Sequence, residues 1–267
     1  MRYKIFLFLL ILLPLVSCKY EKILKSTDYQ AKYIKAIEYY NNGEYVKSAT
    51  VLEQISAIYR GTSKADTIEY FKSKSYYNQK DYTMAGHYFK ELFLTYPNGP
   101  FSEEAYFLSA YSLYKLSPRP SLDQANTYAE IDAFTLFGLR YPTSPRLEES
   151  RKLIFELSER IVEKSYLSAK LYYRLSNYKS SIIALRNSLN DYPNTKYREE
   201  LMFLLLRSSY LLAVNSVPDK QKDRYQATVD EYYSFVTEFP EGKYTDEAKD
   251  MYEGSMKNLG DTVTQNQ

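Results

Sequence analysis

An aromatic-proline pair recurs along this chain as Tyr96-Pro97, Tyr141-Pro142, Tyr192-Pro193 and Phe239-Pro240, with Tyr59-Arg60 as a weaker first copy. The sixth and seventh residues after each proline are Glu103-Glu104, Glu148-Glu149, Glu199-Glu200 and Asp246-Glu247, and after Arg60 they are Asp66-Thr67. A large residue stands seven positions before each aromatic: Leu52, Phe89, Phe134, Leu185 and Tyr232. Proline cannot continue a helix and pushes the residue before it out of the α region, so each box ends a helix. The acidic pair then falls in the first turn of the next helix, where negative charge meets the positive end of the helix dipole.

Successive boxes are 37, 45, 51 and 47 residues apart. Periods of this size belong to stacked supersecondary units, and a helix pair of about 34 residues is the tetratricopeptide repeat. The residues upstream agree with that choice. Tyr39, Tyr45, Ser48, Leu52 and Ile55 precede Arg60 at the spacings with which Tyr76, Tyr82, Ala85, Phe89 and Leu92 precede Pro97, and Tyr172, Tyr178, Ser181, Leu185 and Ser188 precede Pro193. Small residues let paired helices approach, and large ones fill the groove between them. The expected fold class is all-α: an α-solenoid of about five tetratricopeptide-like helix pairs plus a C-terminal capping helix.

Residues 1–17 read as a lipoprotein signal peptide. Arg2 and Lys4 precede an apolar run from Ile5 to Val16, too short to span a bilayer but long enough for a signal core. The stretch Leu15-Val16-Ser17-Cys18 resembles a bacterial lipobox, whose cysteine becomes the acylated N-terminus. Cys18 is the one cysteine in the sequence, so no intramolecular disulfide is possible. Multiple acyl chains anchor firmly where a single chain does not. Of the 35 basic residues, Arg2 and Lys4 lie in the signal peptide, which leaves 33 against 33 acidic ones. Nothing in that balance points to nucleic acid or to an anionic membrane surface.

The remaining chain divides into an acylated cysteine and tether (18–28), N-terminal repeats in three helix pairs (29–145), a long connecting helix with C-terminal repeats and cap (146–258), and a disordered tail (259–267). Ser26, Thr27 or Asp28 caps the first helix. Helices are expected over 29–41 with 45–59, 66–79 with 82–95, and 102–116 with 121–139, the last starting near Ser121 with Asp123 in its first turn. No Gly or Pro occurs from Arg146 to Arg174, which predicts one long helix or two nearly collinear ones. Beyond it the pattern predicts helices over 197–214, 224–239 and 245–258, with a polar loop from Asn215 to Asp223.

Residues for catalysis are sparse. The single histidine, His87, lies among repeat-framework residues, and the eight glycines form no phosphate loop. No Cys or His cluster offers metal ligands, and no G-x-S-x-G elbow occurs. Recurrence of the paired acids at helix starts favours capping over acid/base chemistry. The sequence therefore predicts no catalytic residue, no metal and no cofactor, apart from covalent lipid on Cys18. The 31 tyrosines include the pairs Tyr39-Tyr40, Tyr76-Tyr77 and Tyr172-Tyr173. Adjacent helical residues point about 100° apart, so one member of each pair is expected at the surface, where tyrosine suits an interface.

Together the lipobox, the short tether, the five repeats and boxes of the form YP-N-x-x-(Y/F)-x-E-E resemble the BamD family, the lipoproteins of the outer-membrane β-barrel assembly machinery. The segment 117–145, SPRPSLDQANTYAEIDAFTLFGLRYPTSP, carries the most specific part of the resemblance, and Arg146 to Arg174 with the following YYRLSNYKSSI adds to it. Coverage runs from Cys18 to about Asn258; Arg60 departs from the proline of the first box. The resemblance implies a lipid-anchored protein of the outer membrane facing the periplasm. It implies binding of the barrel-forming subunit's periplasmic domains through the C-terminal repeats and of unfolded outer-membrane proteins through the N-terminal ones. Exposure and repeat position select Tyr40 and Tyr77 for client binding, and Tyr173, Arg174 and Arg186 for partner binding. Two other classes share parts of the pattern: a tetratricopeptide lipoprotein acting as an envelope-biogenesis adaptor, and a glycan-binding SusD-like lipoprotein. The latter uses tryptophan-rich platforms, and this chain has no Trp.

Anchoring is testable at one atom. A Cys18→Ala protein is expected to lose metabolic lipid labelling and to leave the outer-membrane fraction, as followed by radiolabelled palmitate and membrane flotation.

Overall fold

The computed structural model describes residues 19–264, and these are helical with no strand. Residues 19–25 form α1. There follow α2 (Tyr29–Asn41), α3 (Tyr45–Tyr59), α4 (Ala65–Asn78), α5 (Tyr82–Thr95), α6 (Ser102–Leu116), α7 (Ala125–Arg140), α8 (Leu147–Arg174), α9 (Tyr178–Asp191), α10 (Arg198–Val214), α11 (Pro218–Glu238) and α12 (Thr245–Thr264). The pairs α2/α3, α4/α5, α6/α7, α8/α9 and α10/α11 are the repeats of an α-solenoid, and α12 packs on α11 as the cap. The signal peptide and Cys18 expected in residues 1–18, and the last three residues of the expected tail, 265–267, lie outside the described residues.

The chain divides into two compact units. One comprises the chain through Pro118 with Ala125–Phe155; the other comprises Arg119–Gln124 with the chain from Glu156 onward. α8 gives its first nine residues, Leu147–Phe155, to the former and the rest to the latter.

Each box follows the same backbone path. The third residue after the aromatic donates its N–H to the aromatic's carbonyl, and the residue three further on donates to that one: Gly99 to Tyr96 (3.0 Å) and Ser102 to Gly99 (3.1 Å) in the second box, Thr195 to Tyr192 (3.2 Å) and Arg198 to Thr195 (3.1 Å) in the fourth. The first box makes the same bonds, Thr62 to Tyr59 and Ala65 to Thr62. Arg60 there adopts φ −55°, close to the value a proline ring imposes, so the turn survives the substitution.

This turn carries the residue four places past the box back onto a ring of the preceding first helix. Phe101 stacks on Tyr70 (4.2 Å between centroids, 14° between planes), Tyr197 on Tyr166 (4.1 Å, 7°) and Tyr244 on Phe203 (4.3 Å, 9°). Cations take the position in the other two boxes: Lys64 Nζ sits 4.9 Å over Tyr33, and the Arg146 guanidinium 4.5 Å over Phe107. Ring stacking and cation–π contact both reward this placement.

The framework side chains pack as their spacing demands. Leu52, Phe89, Phe134 and Leu185 are fully buried, and so are the small residues Ser48, Ala85 and Ser181, whereas Tyr232 at the same place in the fifth repeat is half-buried and stacks on Tyr252 at 4.4 Å. Facing serines bond across the pairs' junctions, Ser75 to Ser48 (3.2 Å) and Ser181 to Ser208 (2.9 Å). Ser75, Ser112, Ser208 and Ser255 all lie nine residues past the first acid of their repeat and are fully buried. Ser75, Ser112 and Ser255 each donate to the carbonyl four residues back, at 2.7 Å.

The acidic pairs occupy first turns as expected: Glu103-Glu104 in α6, Glu148-Glu149 in α8, Glu199-Glu200 in α10 and Asp246-Glu247 in α12. In two repeats the second acid also reaches sideways to a Tyr-x-x-x-Lys pair on the previous first helix. Lys170 Nζ is 2.6 Å from Glu200, whose other oxygen accepts from the Tyr166 hydroxyl at 2.9 Å. Burial alone would raise the Glu200 carboxyl, but the hydrogen bonds from Lys170 and Tyr166 outweigh it and hold its pKa below the usual value. Lys74 meets Glu104 at 3.2 Å, and burial together with a hydrogen bond to Glu104 pushes the Tyr70 hydroxyl pKa up.

Four boundaries differ from the sequence-based expectation. α7 starts at Ala125 rather than near Ser121, because the buried Gln124 side chain donates to the carbonyls of Arg119 (3.0 Å) and Leu122 (3.2 Å) and holds 119–124 as a closed loop. The polar segment 215–223 is helical from Pro218, which occupies the first helical position where a missing N–H costs nothing. Residues 19–25, expected within a tether, are helical, and α12 carries the helix through Thr264 where a disordered tail was expected from residue 259.

If the returning ring ties successive first helices together, Phe101→Ala and Tyr197→Ala should each lower unfolding free energy by about 1–2 kcal/mol with helicity retained. Urea titrations followed by circular dichroism give that number.

Candidate functional site

The constant turn leaves a groove at the same place in successive repeats. Its wall comes from the residue four before the box's second position (Ser56, Phe93, Gly138 or Leu189), from that position itself (Arg60, Pro97, Pro142 or Pro193), and from the residue nine after it (Glu69, Tyr106, Arg151 or Met202). Only the side chains differ, and they give each groove its own chemistry.

The first groove, about 150 Å³, is polar and internally paired. Ser56 donates to Glu69, which also pairs with the buried Lys72, and Lys72 Nζ lies 4.1 Å over the Tyr88 ring. Next to it, Tyr76 and Tyr88 both donate to Glu53; burial first and that bond second push the Tyr88 hydroxyl up to about 12.

In the second groove, about 510 Å³, the surface turns apolar. Phe93 and Tyr106 stack at 4.2 Å and 18°, while Leu94, Leu136 and Leu139 are 64%, 52% and 74% exposed. Arg140 forms the polar rim, reaching the Pro97 carbonyl at 3.4 Å. The third groove, about 320 Å³, shares Leu139 and adds Phe134, Pro142, Leu147 and Ile154, with Arg151 at its edge. Second and third grooves together are one open apolar strip on the first unit. Leucines left in water at that density mark an interaction surface.

The fourth groove, about 430 Å³, belongs to the second unit and is bridged by charge. Arg186 pairs with Glu231, and Arg198 grips Glu238 with two nitrogens, one of them 2.8 Å from Oε2. Leu189 and Met202 lie beneath.

The family description for YfiO, an outer membrane lipoprotein, matches residues 25–224. This chain belongs to that family. The match contains all of the first three grooves, and it agrees with the BamD-type resemblance carried by the boxes. A relative from Aquifex aeolicus (strain VF5), under the provisional name outer membrane protein assembly factor BamD, is 24% identical over 197 residues. That alignment covers 71% of this chain and 63% of the relative, so the chain spans less than two thirds of the relative's length. Among the described residues of this lipoprotein, no helix is long and apolar enough to cross a membrane.

The lipoprotein places the sequence-selected tyrosines differently from expectation. Tyr39 is buried, and Tyr40 is half-buried rather than exposed: its ring meets Phe71 edge-on at 4.9 Å, and its hydroxyl accepts from Asn78 at 3.2 Å. Burial pushes the Tyr40 hydroxyl pKa up. Tyr76 and Tyr77 are likewise both half-buried, with Tyr77 edge-on to Tyr82 (5.5 Å) and Phe89 (6.4 Å). A first helix packs against its own partner and against the next repeat, so two directions 100° apart both face protein. The carbonyls of these pairs have a further task. Tyr39 and Tyr40 accept from Glu44 and Gly43, Tyr76 and Tyr77 from Asp81 and Lys80, and Tyr172 and Tyr173 from Asn177 and Ser176, which is a Schellman closure in each turn.

In the third pair Tyr172 is 42% exposed and Tyr173 half-buried under the Arg207 guanidinium, 5.9 Å from its ring centre. Arg174 is exposed and lines a basic hollow with Lys164, Lys170 and Ser121. Arg186 stands in the fourth groove instead, so these two arginines serve different hollows. His87 is exposed, 3.6 Å from Glu91. The apolar strip was missed because Leu94, Leu136 and Leu139 are off the repeat framework; the available signal was leucine at helix positions that the framework assigns to solvent.

If the strip is an open apolar surface, a Leu136→Ser, Leu139→Ser protein should bind bis-ANS about twofold less strongly in fluorescence titration. Its urea midpoint should stay put, since exposed leucines contribute little to folding.

Proposed function

We propose that this chain is an outer-membrane assembly lipoprotein acting as a non-enzymatic scaffold. Cys18, acylated, tethers it to outer-membrane lipid with the repeats facing the periplasm. The N-terminal repeats receive unfolded β-barrel outer-membrane proteins, and the C-terminal repeats hold the periplasmic domains of the barrel-forming subunit.

Family membership supports the location, and the relative's provisional name supports assembly as the task. The observation that carries the division of labour is the contrast between grooves built at one repeat position: open and leucine-lined around Leu139, bridged by Arg186–Glu231 and Arg198–Glu238 in the second unit. An unfolded barrel strand presents apolar residues at every second position, which suits an apolar strip without demanding one sequence. A lasting partner suits a charged, structured rim that fixes register. Tyr173, Arg174 and Arg186 are the proposed partner contacts. Tyr40 and Tyr77, being half-buried, contribute to client binding by holding the first two repeats in shape.

Two variants separate the surfaces. Leu139→Asp is expected to weaken binding of a urea-unfolded outer-membrane protein about tenfold, near 1.4 kcal/mol, and to leave affinity for the barrel subunit unchanged. Replacing Tyr173, Arg174 and Arg186 with Ala is expected to do the reverse. Biolayer interferometry with both ligands measures this, and equal losses on both ligands would rule out two separate surfaces.

A further inference from the structure

The start of the fold has no slack in it. α1 lays Tyr20, Ile23 and Leu24 on the core of the first repeat, formed by Ala36, Tyr39, Val51, Leu52, Ile55 and Ile68. Tyr20 meets Tyr39 edge-on at 5.8 Å. The buried Lys32 donates to the Leu24 carbonyl at the C-terminal end of α1 (2.9 Å) and to Gln54 on α3 (2.8 Å), stitching α1 to the first helix pair. A cation on the last carbonyls of a helix also suits its dipole. The link to α2 is equally tied: Ser26 N–H donates to Ile23, Asp28 N–H to the Ser26 hydroxyl (3.0 Å), and the Asp28 carboxylate caps α2 at Ala31 (2.9 Å).

Cys18 precedes this docked helix by one peptide bond. Ten flexible residues would let the first repeat wander about 17 Å from an anchor, and up to about 35 Å when extended. With α1 docked, the fold already includes Lys19, one peptide link (about 3.8 Å between Cα atoms) after residue 18 in the sequence. The face of α1 turned away from the core carries Lys19, Lys22 and Lys25, and Glu21 pairs with Lys25 at 3.7 Å, which leaves a net charge of +2 there. That is a cationic surface at the point where the chain meets lipid.

We propose that α1 is a membrane-apposed foot: it holds the first repeat directly on the bilayer, its lysine face against phospholipid headgroups, instead of leaving the repeats on a flexible leash. This rests on acylation of Cys18 as proposed above. Its consequence is positional, because an anchor without slack gives the first repeat a fixed height above the bilayer.

The full chain offers a clean probe, since Cys18 is its one cysteine and acylation blocks it. A Lys22→Cys protein, lipidated in cells, is labelled with bimane and reconstituted into phosphatidylethanolamine and phosphatidylglycerol vesicles containing a headgroup-spin-labelled lipid. Quenching is expected to be strong. It should fall at least about twofold when ten Gly-Ser residues are inserted between Cys18 and Lys19 with α1 left docked. Equal quenching with and without the insertion, or none in the parent protein, overturns the foot while leaving the anchor intact, provided palmitate labelling is normal. Absence of lipid label in the parent protein overturns the anchor and the foot together.

Discussion

The turn that follows each box, and the ring or cation it returns onto the preceding first helix, is the contact on which the other regularities of this protein depend. Five or six residues separate each box-ended helix from the next, whatever the length of the repeat. The variation in period is absorbed elsewhere. The fourth repeat's extra residues lengthen α8 to 28 residues against the 14 of α4, the third repeat's go mainly into the loop before α7, and the fifth repeat's into α10 and α11, with 17 and 21 residues. A longer helix or an outer loop adds surface at little cost, whereas one residue added within the turn would move Phe101 or Tyr197 off its ring.

Because that geometry is fixed, the residue four before the box's second position and the one nine after it always wall the same groove. Their identities are then free to vary without disturbing the fold, as Ser56 with Glu69, Phe93 with Tyr106 and Leu189 with Met202 illustrate. One scaffold thereby carries a self-paired polar groove, an open apolar strip and a groove bridged by ion pairs. The paired acids show the same economy. They sit at the positive end of a helix, and Glu104 and Glu200 also pull a lysine and a tyrosine of the previous repeat toward them.

Much of the architecture was legible in the chain because it is written in local chemistry. Proline stops, acidic first turns and the Gly- and Pro-free run after Arg146 act within a few residues, and the helices end where they say. The errors fell where a side chain acted over a distance or a local rule had a second use. Gln124 delayed α7 by closing a loop through its amide, and Pro218 began a helix where a polar loop was expected. Lys80 and Ser176 take the left-handed conformation that Gly43 holds in the first repeat, a role their side chains do not announce.

Repeat number, helix order, the buried framework of Leu52, Phe89, Phe134 and Leu185, and the lipobox that resembles an acylation site were therefore set out by the sequence itself, since each follows from spacing along one chain. Which tyrosine of a pair faces water was not, because a first helix has two packed sides and spacing along that helix reports neither neighbour. Only the tertiary structure decided that Tyr40 and Tyr77 are half-buried, that Leu94, Leu136 and Leu139 gather beside one stacked pair of rings, and that Arg186 is already held by Glu231. Such surfaces join residues as far apart as Leu94 and Leu139 or Arg186 and Glu231, each pair 45 positions apart, brought together by the turn and invisible until the helices are stacked.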